Sequence, residues 1–167
     1  MTTSTPEPTW LDDEEQRAWR AYLRASRLLE ASLDRDLQHH GVQLSEYEII
    51  SMLSEQPDRR LRMSALADMV VQSRSRLTHT ASRLEKRGWV QREACAGDRR
   101  GVELVLTDDG AQAITAMARV HVGSVREHLL SHVSRAQFLA LGAAMTAIAD
   151  GISASPTCAE ARADEPA

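Results

Sequence analysis

The chain has 167 residues, enough for one domain to bury a hydrophobic core without disulfide or metal staples. Hydrophobic residues make up 43% and charged residues 26%, which excludes disordered and fibrous classes. Aromatics at 4% leave the core to Leu, Val, Ile, Met and Ala, and the net charge of −4 excludes a uniformly basic nucleic-acid binder.

Residues 1–10 carry Pro6, Pro8 and a Thr/Ser cluster and read as a disordered tail. Met1 to Glu15 is polar and acidic, without the basic and apolar regions of a signal peptide. No apolar run is expected to approach a membrane span, so a cytoplasmic protein with no membrane partner is the expectation. From Leu11 to about His39 nothing interrupts a helix, and Trp19, Tyr22, Leu23, Leu29, Leu33 and Leu37 recur near a helical period. A helix this long is expected to pack part of its length on a second subunit.

Gly41 stops that helix, and Ser45-Glu46-Tyr47-Glu48 reads as a capping box opening a second one, which carries Ile49, Ile50, Met52 and Leu53 up to Pro57. Arg59 to Arg62 is an extended basic step. A short third helix starts at Ser64 with Leu66, Ala67, Met69 and Val70 on its apolar side. Ser73 is an N-cap for a fourth helix from Arg74 to Arg87, and Gly88 closes it where a left-handed residue is needed. The period then changes to that of strands at 89–93 and 102–106, joined by a polar loop from Cys95 to Gly101. Thr107 caps a long helix through Ile114, Met117, Val120 and Leu129, and Ser134 to Gln137 is a capping box for a last helix carrying Phe138, Leu141, Met145, Ile148 and Ile152. Residues 154–167 read as a second disordered tail.

Charge is distributed unevenly along this order. Ser73 to Gly101 holds eight basic residues against three acidic ones, a net +5 that leaves −9 for the remainder. Two short helices with a tight turn, followed by a two-stranded hairpin, make a winged helix-turn-helix. In the fourth helix Leu77, Ala81 and Leu84 share an inward face. Ser75, Arg76, His79, Ser82, Arg83 and Lys86 fall outward, where such side chains reach phosphates and base edges. A solvated charged face on an ordinary helix has the same appearance. The hairpin tip Asp98-Arg99-Arg100-Gly101 argues against that reading, because an arginine there suits a narrow minor groove and Asp98 can hold a neighbouring arginine in place.

Those motifs resemble the MarR family of bacterial regulators. Asp98-Arg99-Arg100-Gly101, then Leu106-Thr107 and Gly110, matches that family's D-x-R wing and L-T-x-x-G. Leu84, Gly88, Trp89 and Val90 match its recognition-helix exit. The resemblance covers about residues 11–153, and the use of arginine at 19 of 20 basic positions resembles high-GC actinobacterial proteins. It implies a mainly α fold with a small β-hairpin wing: a winged helix-turn-helix at 41–106 and a helical dimerisation region at 11–40 and 107–153. It implies a homodimeric, ligand-responsive repressor on a pseudo-palindromic operator in double-stranded DNA. Ser73, Arg74, Ser75, Arg76, Thr78, His79, Arg83 and Lys86 would contact bases and phosphates, and Arg99, Arg100 and Asp98 would form the minor-groove finger.

Relatives are released by small phenolic or aromatic acids, for which Trp19, Arg20, Tyr22, His39, His40 and Tyr47 are candidates here; Trp19 and Tyr22 serve equally as dimer core. Cys95, near Arg92 and Arg99, is a candidate oxidant sensor and Cys158 lies in the tail. His39, His40, His121, His128 and His132 lack a Cys/His metal spacing, so no metal or cofactor is expected. No P-loop, G-x-S-x-G, H-E-x-x-H or dinucleotide turn is present, so an enzyme is not expected. A winged-helix protein-interaction module is the alternative, and its wing would be expected to lose the arginines that this one keeps.

Overall fold

Asp12 begins the first helix by accepting the N–H groups of Glu14 and Glu15 at 2.8 Å, while the Glu15 carboxylate returns to the Asp12 N–H at 2.9 Å. Asp13, Glu14 and Glu15 in that first turn face the positive end of the helix dipole. In the computed structural model, which describes residues 9–95 and 97–153, this helix is α1 (Asp13–Gln38). It is followed by α2 (Leu44–Ser54), β1 (Arg60–Arg62), α3 (Met63–Met69), α4 (Arg74–Lys86), β2 (Val90–Cys95), β3 (Asp98–Leu106), α5 (Asp108–Val125), a π-helical turn (Arg126–Leu130) and α6 (Arg135–Ser153). Cys158 and most of the two expected tails lie outside the described residues.

Gly41, at φ +75°, ends α1 in the left-handed region as expected. The start of α2 differs from the expected Ser45 box. Its N-cap is Gln43, whose backbone N–H is taken by Glu46 Oε2 at 3.0 Å. Glu46 sits three residues on and reaches back, so Ser45 falls inside the first turn.

The wing also departs from expectation. The strands run on through most of the predicted loop, Cys95 pairing with Asp98 across an irregularity at Ala94/Cys95. Arg60–Arg62 then adds a third strand, giving an antiparallel sheet in the order β1-β3-β2 with Leu61 opposite Leu104. Three residues are too few to display a period of two, which is why this strand reads only as an extended step.

The chain forms two units, one ending at Ser124 and one beginning at Val125. The core of the first joins Leu37 and Val42, Ile49, Ile50 and Leu53 of α2, Leu66 of α3, Leu77, Ala81 and Leu84 of α4, and Val90, Leu104 and Leu106 of the sheet. Each fully buried Leu or Ile contributes about 1.5–3 kcal/mol relative to exposure. In the second unit, Ser134 and Gln137 form the expected reciprocal cap of α6.

The expectation that no stretch is apolar enough to cross a membrane needs correction. α6 has 19 residues with a mean hydropathy of 1.3 over its best window, long and apolar enough by length and composition. Its many Ala residues raise the mean between widely spaced Leu and Ile, so no obvious run is visible in the sequence. Leu139, Leu141, Ile148 and Ile152 on it are exposed.

Candidate nucleic-acid interface

The turn ahead of α4 is tight. Val71 adopts φ +50°, and the Gln72 N–H donates back to Ala67 O at 3.0 Å. Ser73 Oγ then accepts the Arg76 N–H at 3.3 Å and opens α4. Leu77, Thr80, Ala81 and Leu84 are at most 2% exposed and form its inward face. Arg74, Ser75, Arg76, Thr78, His79 and Lys86 are exposed. Thr78 Oγ1 donates to Arg74 O at 2.8 Å and Ser82 Oγ to Thr78 O at 3.0 Å. Both hydroxyl protons are therefore spent on the helix, and Thr78 presents lone pairs outward. Gly88, at φ +73°, ends the helix with its N–H on Glu85 O and the Trp89 N–H on Leu84 O, so the L-x-x-x-G pattern is a left-handed helix stop.

The hairpin is fastened to this helix by Arg92. Its Nη1 donates to Glu85 Oε2 at 2.6 Å, and its Nη2 donates to Thr78 O and Ser82 Oγ at 3.1 Å each. On β1, Arg60 pairs with Glu93 at 3.0 Å and Glu103 at 3.4 Å, and the Glu93 charge leads in raising the Arg60 pKa. At the wing base, Thr107 Oγ1 donates to Gly88 O at 2.7 Å and accepts the Gly110 N–H at 3.0 Å. A Cβ on Gly110 would lie 2.1 Å from Trp89 O, so the L-T-x-x-G motif is the close approach of α5 to β2. Gly101 is constrained similarly, with Cys95 Sγ 2.7 Å from where its Cβ would be.

Asp98 has a partner that the sequence did not suggest. It accepts from Arg62 Nη1 of β1 at 3.1 Å, tying the wing to the neighbouring strand. The backbone of Arg99 and Arg100 lies in β3, but their side chains, and the finger role expected of them, lie outside the described residues.

Arg83 also has a partner that sequence reasoning missed. Its Nε donates to Glu46 Oε1 at 3.1 Å and its Nη2 to Gln43 Oε1 at 2.6 Å. Arg87 Nη2 lies 3.7 Å from Glu46 Oε2, donates to Gly41 O at 2.7 Å, and its guanidinium stacks on Trp89. Glu46 is 1% exposed. A signal was available: a carboxylate among Val42, Ile49 and Ile50 needs cations, and Arg83 and Arg87 are spaced i, i+4 on one helix face.

The expected effector residues do not converge. Trp19 and Tyr22 stack at 5.7 Å on the exposed side of α1, whereas Tyr47 is buried against His121 at 4.4 Å. Burial raises the Tyr47 pKa and lowers that of His121, whose Nδ1 has no hydrogen-bond partner among the described residues. His39, His40 and Arg20 are exposed. A cleft of about 580 Å³ instead lies between α1, α2 and the turn before α4, lined by Arg27, Glu30, Leu44, Glu48, Val70, Gln72 and Arg76. Within it, burial first and Glu30 second raise the Glu48 pKa. Cys95 is buried, which withdraws its thiol from solvent oxidants. Among the described residues no three His, Cys, Asp or Glu side chains gather closely enough to hold a metal.

Comparison with known proteins accords with this geometry. The MarR family model matches residues 40–101, the segment running from the end of α1 into the wing. PecS, an HTH-type transcriptional regulator of Dickeya dadantii, is 30% identical over 107 residues, a stretch spanning 64% of each protein and so under two thirds of that relative. Two solved MarR family transcriptional regulators from Streptomyces coelicolor are similar over far more of their length. Sco3205, solved in complex with DNA, is 43% identical with a TM-score of 0.84, covering 89% of this chain and 94% of that one. AbsC is 40% identical with a TM-score of 0.82, covering 89% of this chain and all of that one. With a winged helix-turn-helix common to all of them, the chain belongs to the MarR family of transcriptional regulators.

Proposed function

We propose that this chain is a sequence-specific reader of double-stranded DNA that acts in the cytoplasm as a homodimeric, ligand-responsive repressor. The observation that carries the reading is the outward face of α4, where Arg74, Ser75, Arg76, Thr78, His79 and Lys86 stand beside a hairpin that Arg92 fastens to the same helix. Helix and wing then meet DNA as one rigid body, with α4 in the major groove and Arg99 and Arg100 reaching the adjacent minor groove. The DNA complex of the 43% identical Sco3205 supports it.

A second copy is the occupant we assign to the exposed apolar side chains of α1 and α6, among them Trp19, Tyr22, Leu28, Ile148 and Ile152. Twofold symmetry makes the operator a pseudo-palindrome with half-sites about one helical turn apart, roughly 34–36 Å. For ligand response, a small aromatic acid entering the α1–α2 cleft would set its carboxylate against Arg27 or Arg76 and its ring against Leu44 and Val70. Arg76 belongs to both the cleft and the DNA face, so the two ligands compete for it.

The test is selection of duplexes from a random-sequence pool, followed by binding across a salt series. Recovery of a pseudo-palindrome bound with a steep salt slope supports the reading. Recovery of no preferred duplex overturns it in favour of a protein-interaction module. Salicylate, added to the complex, is expected to weaken binding.

A further inference from the structure

Arg83 stands in the third turn of α4, beyond the N-terminal residues with which recognition helices meet base edges. Its Nε and Nη2 are directed at Glu46 and Gln43, so one edge of the guanidinium faces the protein. Arg83 also lines a recess of about 420 Å³ shared with Ser75, Arg76 and His79 of the same helix. The carboxylate that holds it is 1% exposed and has no route to DNA of its own. It also accepts the Gln43 N–H at 3.0 Å, so it is held in turn by the backbone at the start of α2. Arg87, one helical turn on, bonds Gly41 O and closes the same junction.

An unrestrained arginine loses considerable rotamer freedom when it meets a phosphate, and one already held by two acceptors loses little. Phosphate contacts fix the register in which a helix lies in the groove, and the base contacts depend on that register. We propose that Glu46 is a positioning residue for DNA reading: it holds Arg83 as a backbone-phosphate clamp and locks α4 against α2, so that the base-facing side chains enter the groove in one register. The inference rests on the DNA-reading function proposed above and adds to it a residue that never touches DNA.

Replacing the carboxylate by an amide separates positioning from plain stability. Glu46→Gln removes a negative charge from beside the phosphates, which strengthens sequence-independent attraction. It also releases Arg83, which weakens recognition. Binding is measured for a duplex selected from a random pool and for a scrambled duplex of the same composition. Glu46→Gln is expected to bind the selected duplex about tenfold more weakly, while binding the scrambled one at least as tightly and with a salt slope steeper by up to about 1. A fall in folded fraction would lower both affinities by one factor and leave their ratio unchanged, and that result would overturn the proposal.

Arg83→Lys and Gln43→Ala keep the buried carboxylate and carry the test if Glu46→Gln does not fold. Arg83→Lys keeps the charge but cannot bond both acceptors, and is expected to lower the same ratio; in the Glu46→Gln background it should add little. An unchanged ratio in Arg83→Lys overturns the proposal. Wild-type protein that prefers no duplex overturns the DNA-reading function itself, and the proposal with it.

Discussion

Gly110 lies in the first turn of α5, pressed against the residue that begins the wing. A Cβ there would stand 2.1 Å from Trp89 O and 2.7 Å from Leu106 Cδ1. An ordinary carbon–oxygen contact is no closer than about 3.3 Å, so Gly110→Ala demands a shift of roughly 1 Å against backbone. The shift parts α5 from β2 where Thr107 N donates to Trp89 O at 3.0 Å and Thr107 Oγ1 donates to Gly88 O at 2.7 Å. Overpacking costs about 1–3 kcal/mol and each weakened bond about 1 kcal/mol, against a helix-propensity gain of at most about 1 kcal/mol. The expected net loss is about 2–4 kcal/mol, on the order of 5–15 °C in Tm for a chain of this length. Urea unfolding at one fixed chain concentration measures it, since the proposed self-association would make stability depend on concentration. Gly123→Ala on the same helix, where a Cβ meets nothing within 4 Å, is the control and should gain about 0.5–1 kcal/mol. A Gly110→Ala protein within about 0.5 kcal/mol of wild type would refute the close-approach explanation of the motif.

Four further perturbations test other parts of the structure. Val71 is 90% exposed at φ +50°, so Val71→Gly relieves strain without losing packing and should raise stability by about 1 kcal/mol in urea unfolding; a loss would show that the turn is not strained. Burial lowers the His121 pKa below 6.5, so the unfolded chain takes up the proton first and stability should fall as pH drops through about 6.5; His121→Gln should flatten that fall in urea midpoints compared between about pH 7.5 and pH 5.5. Glu48 shifts the opposite way for an acid, burial first and Glu30 second raising its pKa above 4.5: its contribution is present at acid pH and lost as pH rises through the folded value, so Glu48→Gln should stabilise the protein at neutral pH. Ile148→Glu places a charge on the exposed apolar face of α6 and should shift the protein to monomer in light scattering, whereas an unchanged mass would remove α6 from the proposed interface.

What the sequence by itself determined here is what local chemistry decides. Gly41 and Gly88 stop helices because a left-handed residue is cheapest as glycine, Ser73 and Ser134 start them because a short hydroxyl reaches an unpaired N–H, and the 3.6-residue period of Leu77, Ala81 and Leu84 names the buried face of α4. The wing and its basic balance were legible for the same reason, a run of neighbours in one segment. Tertiary structure decided everything that depends on which distant groups meet. Asp98 found Arg62, 36 residues away. Arg83, whose charge read as one more DNA contact, is turned by Glu46 from 37 residues upstream, and Arg60–Arg62 became a strand only because β3 offered it an edge. The aromatic side chains of α1 and α2, neighbours in expectation, were set apart when Tyr47 turned inward to His121. Caps and periods are short-range and act within a turn of helix, whereas an ion pair or a strand edge is chosen by the packing of the whole core, which no local pattern of residues records.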